Sequence, residues 1–80
     1  MGRKERPPLA RLVRTKRLLA ELSQEELAAR AGVSRSLIAM VEAGIEPSIR
    51  SLKKIAGALG ISGAELSAVL LAHEKEGGTQ

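Results

Sequence analysis

The sequence predicts an all-α fold of five helices, and three observations carry that reading. Apolar residues make up 44% of the chain yet include no Phe, Trp or Tyr, so the core must be aliphatic, chiefly Leu, Ala, Ile and Val. That composition suits packed helices better than a sheet. A capping device then recurs. Ser23, Ser34, Ser48 and Ser62 each follow an apolar residue that has a second apolar residue five positions beyond it. Finally, Gly32, Gly44 and Gly60 fall where helix ends favour a left-handed residue.

Taken in order, Pro7 and Pro8 can open a first helix over 8–21. Ser23 caps a second over 24–31, with Leu22 and Leu27 as its hydrophobic staple and Glu26 completing a capping box. Ser34 caps a third over 35–43, stapled by Val33 and Ile38. Ser48 caps a fourth over 49–59, with Pro47 and Leu52 as the pair. Ser62 caps a fifth over 63–76, with Ile61 and Leu66 as the staple and Glu65 closing a second box. Residues 1–7 are then a basic N-terminal arm, 8–76 one domain and 77–80 a flexible tail.

Length and charge narrow the function. Eighty residues make one domain with a small core. No apolar stretch is long enough to span a bilayer, and no signal-type apolar segment follows the N-terminal charges. The absence of Cys excludes disulfides and thiolate metal sites and fits a reducing compartment. A cytoplasmic protein is expected. The net charge of +4 is unevenly spread. Arg3, Lys4, Arg6, Arg11, Arg14, Lys16 and Arg17 face only Glu5 in the first seventeen residues, whereas the remainder carries six basic and eight acidic residues. A basic N-terminal segment on a near-neutral body suits an anionic polymer.

The stretch from Gln24 to Ala43, QEELAARAGVSRSLIAMVEA, reads as two short helices joined at a glycine. Leu27, Ala31, Val33, Ile38 and Val41 are apolar where two steeply crossed helices must pack, and Ala28 is small at their closest approach. Ser34, Arg35, Ser36, Ala39 and Met40 are left on the outer surface of the second of these helices. This arrangement resembles the helix-turn-helix of the phage-repressor family, the lambda-repressor and Cro type. The following segment, from Gly44 through the "ALG" at 58–60 to Ile61, is similar as well, so the resemblance spans Leu9 to Leu70.

The resemblance implies a compact lambda-repressor-like domain that binds double-stranded DNA as a homodimer, with the third helix in the major groove as the recognition helix. In such a domain Arg35 and Ser36 stand on the first turn of that helix and reach base edges. Ala39 and Met40, one turn on, depart from the polar residues common in the family but can press on thymine methyls. Phosphate contacts fall to Gln24, Ser34 and Arg50, with Arg3, Lys4 and Arg6 of the arm. Arg17 and Glu42 match a buried salt bridge between the first and third helices. Leu66, Val69 and Leu70 share one face of the last helix, which the family commonly uses for dimer contact; they would otherwise complete the monomer core.

An enzyme is not expected. The chain has one His, His73, no Cys, no Asp and no Tyr, and no nucleophile–base pair, metal cluster or phosphate loop. No cofactor or metal is expected, and eighty residues leave little room for a small-molecule pocket. RNA is disfavoured because stacking platforms need aromatic rings. Two function classes stay open: a dimeric, sequence-specific transcriptional regulator, bacterial or phage-encoded and nucleoid-associated, and a protein-interaction module of the same fold, antitoxin-like or adaptor. The second draws on Leu37, Ala39, Met40, Ile45 and Glu46, which are atypical of a DNA-facing surface.

Overall fold

The computed structural model describes residues 7–77, with side-chain surroundings through residue 72. Five α-helices follow one another: α1 Pro8–Leu19, α2 Gln24–Ala31, α3 Arg35–Glu42, α4 Ile49–Leu59 and α5 Gly63–Gly77. The serine caps form as the sequence requires. The hydroxyls of Ser23, Ser34, Ser48 and Ser62 accept the backbone N–H three residues on, at 3.0–3.1 Å. Ser23 and Glu26 close a full capping box, the Ser23 N–H donating to the Glu26 carboxylate at 2.8 Å. That bond, with the Ser23 hydroxyl, holds the Glu26 carboxyl below its ordinary pKa. At the fifth helix the Glu65 carboxylate instead lies 3.5 Å from Lys16 Nζ, tying α5 to α1.

One closure ends the first four helices. The N–H of an apolar residue reaches back five positions to a helix carbonyl: Leu22 to Arg17, Val33 to Ala28, Ile45 to Met40 and Ile61 to Ala56, at 2.9–3.1 Å. This reversal places the preceding residue at positive φ. At three ends that residue is glycine; at Gly32 φ is 74°. At the end of α1 it is Glu21, with φ 60°. The first helix therefore stops at Leu19 rather than continuing to 21. No glycine marks the break, so local sequence carried no sign of it.

Leu27, Ile38 and Ile55 are fully buried at the centre, with Val13 and Val41 beside them and Leu9, Leu22, Ala28, Ala31 and Leu52 around them. α2 packs most extensively on α3 and then on α4, while α1 lies across α3, α4 and α5. Leu66, Val69 and Leu70 are half-buried against this core, so the monomer already uses part of their apolar surface. Three of the four apolar residues in the closing turns, Leu22, Val33 and Ile61, turn inward. Ile45 does not and remains 54% exposed. Among the described residues no helix is long and apolar enough to cross a membrane.

Candidate nucleic-acid interface

α3 is seated by its inner face and open on its outer one. Ile38, Val41 and Glu42 are buried, whereas Ser34, Arg35 and Ser36 are exposed, Met40 is exposed and Ala39 half-buried. Four of the five proposed outward residues thus present themselves to solvent across the first turn and one turn beyond. Leu37 differs: it is half-buried and packs against the core, and so leaves the outer surface. The Ser34 hydroxyl accepts the Leu37 N–H at 3.1 Å while its own hydrogen remains free to donate.

What fixes α3 is a polar junction between three helices. Glu42, at the last turn of α3, is 3% exposed, and Arg17 of α1 is 7% exposed. Their side chains meet in a fork: Arg17 Nε donates to Glu42 Oε2 at 2.6 Å and Nη2 donates to Oε1 at 3.0 Å. The third arm of the guanidinium, Nη1, donates to the Leu22 carbonyl at 2.7 Å in the turn after α1. Bidentate geometry of this kind suits Arg and fixes orientation as well as distance. Burial pushes the Glu42 carboxyl upward, but hydrogen bonds from Arg17 and Gln24, and the charges of Arg17 and Arg14, outweigh it, so its pKa lies below the ordinary value. The Glu42 hydrogen bond raises the Arg17 pKa in turn, against its desolvation.

The side chain of Gln24 joins this junction. Its Nε2 donates to Glu42 Oε1 at 3.2 Å, so one amide hydrogen is spent inside the protein and the other is left for an outside acceptor. Arg14, a helical turn before Arg17 on α1, brings Nη1 to 3.8 Å from the same oxygen with half its side chain exposed. Sequence reasoning had Arg14 only as part of a basic segment. The signal was present in its spacing, since positions three apart on a helix share a face.

The other edge is formed by the α3–α4 connection. Arg50 is exposed in the first turn of α4, behind the Ser48 cap. Gly44 has φ 108°, and a Cβ added there would lie 3.2 Å from Pro7 Cδ. Pro7, at the start of α1, therefore lies against the turn that ends α3. Arg3, Lys4 and Arg6 lie outside the described residues. Met40 near the end of α3, Ile45 in the connection and Ile49 at the start of α4 are exposed at 42%, 54% and 64%. No group of three or more His, Cys, Asp or Glu among the described residues could hold a metal ion.

A short helix held by its inner face against a second helix, with polar and basic side chains on its outer face, defines a helix-turn-helix DNA-binding domain. A family model described as helix-turn-helix matches residues 13–66, more than half of the chain, and the chain belongs to that family, of the lambda-repressor-like Cro/C1 type. No curated protein matches it.

Proposed function

We propose that this chain is a sequence-specific regulator of transcription that binds double-stranded DNA as a homodimer in the cytoplasm. The observation that carries the reading is α3 itself: locked at its inner face by the Arg17–Glu42 fork, it turns Arg35, Ser36 and Met40 outward. In the major groove Arg35 bonds one guanine through its two parallel donors, Ser36 adds a hydrogen bond, and Ala39 and Met40 rest on thymine methyls. Gln24, Ser34 and Arg50 meet phosphates on either side, and the basic arm adds Arg3, Lys4 and Arg6. The position of Pro7, the last residue of that arm, against Gly44 at the end of α3 supports this role. α5 supplies the dimer contact through the accessible parts of Leu66, Val69 and Leu70, so two recognition helices enter successive major grooves about 34 Å apart.

Selection from random duplex DNA, repeated with two variants, tests this. The wild type should enrich paired inverted half-sites. Arg35→Ala should lose about 1–3 kcal/mol and relax preference at one base pair. Met40→Ala should alter base preference with an unchanged salt slope, since Met neutralises no phosphate. A second reading, a protein-docking module, is favoured by the exposed apolar side chains of Met40, Ile45 and Ile49. It predicts normal DNA selection by Met40→Ala with loss of a protein partner. Unchanged preference in both variants would remove α3 as the reader.

A further inference from the structure

We infer that Arg14 is a contact for the DNA phosphate backbone and that Gln24 and Arg14 take the same phosphate, both held by the carboxylate that locks α3. The inference rests on the DNA-binding reading above. It starts from the charges at the junction. Glu42 holds Arg17 in a bidentate fork: Oε2 takes Nε at 2.6 Å and Oε1 takes Nη2 at 3.0 Å, with both side chains almost wholly buried. One carboxylate therefore neutralises one guanidinium. Arg14 stands at the same carboxylate as a second cation, at 3.8 Å, beyond hydrogen-bonding distance and with half of its side chain in water. The surplus positive charge of the junction is thus on Arg14, on the solvent side.

Gln24 stands at the same oxygen and is oriented by it. With Nε2 donating to Glu42 Oε1 at 3.2 Å, its second amide hydrogen remains for an external acceptor. A surplus guanidinium and an amide donor, both within 4 Å of one carboxylate oxygen, bring N–H donors from two helices together for an anion with more than one acceptor oxygen. A phosphodiester has two non-bridging oxygens and one negative charge, which matches this donor set. The arrangement also links the backbone contact to base reading. Glu42 belongs to α3, so the residue that seats the recognition helix also sets where the two phosphate donors stand.

The test measures equilibrium binding of the full chain to a selected duplex across a range of salt. Arg14→Gln, at an exposed position, should keep the far-UV circular dichroism and the base preference of the wild type. Its slope of log affinity against log salt should be shallower by about 0.9, so its loss of affinity between 50 and 200 mM salt is about threefold smaller. Arg14→Lys, which keeps the charge, should restore the slope. Duplexes carrying a neutral methylphosphonate at single positions should identify one phosphate whose neutralisation weakens the wild type and Arg14→Lys clearly more than Arg14→Gln, in which Gln24 alone still meets it. Equal slopes for wild type and Arg14→Gln, with no such phosphate, would overturn the assignment and leave Arg14 facing solvent or an acidic protein segment. If the wild type itself shows no salt-dependent binding to duplex DNA, the functional reading fails and the assignment with it. If the wild type binds steeply and only the Arg14 result is flat, the assignment alone fails.

Discussion

Replacing Glu42 by Ala should cost the fold several kcal/mol, because the substitution strands a charge that has almost no access to water. Arg17 is 7% exposed, and without Glu42 its guanidinium keeps only the Leu22 carbonyl, at 2.7 Å, as a partner. Two charge-assisted bonds are lost outright, and Gln24 loses its acceptor as well. Breaking a buried pair from one side costs about 3–5 kcal/mol. The total stability of a chain this size is roughly 4–12 kcal/mol, so the variant should sit near the limit of folding. Urea unfolding followed by far-UV circular dichroism is the assay, since the chain has no aromatic chromophore. Two further variants keep the test decisive if Glu42→Ala is largely unfolded. Glu42→Gln keeps the shape and part of the hydrogen bonding and should lose less. The double variant Arg17→Met with Glu42→Leu removes both charges at once and should also be more stable than Glu42→Ala, because no buried charge remains unpaired. A loss below about 1 kcal/mol in Glu42→Ala, or a double variant less stable than it, would refute the idea that the fork holds α3 in place.

Glu21→Gly should stabilise the protein by about 0.5–1 kcal/mol: a left-handed backbone at a residue with a Cβ costs about 1–2 kcal/mol, of which the greater chain entropy of glycine offsets part. A lowered urea midpoint would show that Glu21 is not strained at φ 60°. Acid should weaken the fold through Glu42. Its pKa is lowered in the folded state, so its contribution is complete above its ordinary value of 4.5 and is lost as pH falls through the lower, folded value. The urea midpoint should therefore decline on acidification below about 4.5, and Glu42→Gln should show a smaller decline; an equal decline would assign the acid sensitivity to other carboxylates.

The sequence by itself determined the elements and most of their limits, because the signals involved act within a few residues. A serine hydroxyl reaches an N–H three positions on, so Ser23, Ser34, Ser48 and Ser62 mark helix starts wherever they are followed by a helical apolar pattern. Gly32 and Gly44 mark reversals for the same local reason. The inward stripe of α3 also followed from spacing, and with it the outward position of Arg35, Ser36 and Met40. The tertiary structure alone decided what depends on groups distant in the chain. The end of α1 is set by a turn whose left-handed residue is Glu21, supported by the Arg17 guanidinium on the Leu22 carbonyl and by Leu22 entering the core. Leu37 packs inward and Ile45 stays outside because neighbouring helices fill one space and leave the other open. Glu65 meets Lys16 because α5 folds back on α1. The Arg17–Glu42 bridge was expected from the family resemblance, but the convergence of Arg14 and Gln24 on the same carboxylate joins residues up to 28 positions apart, and only the packing of α1 and α2 against α3 brings them there.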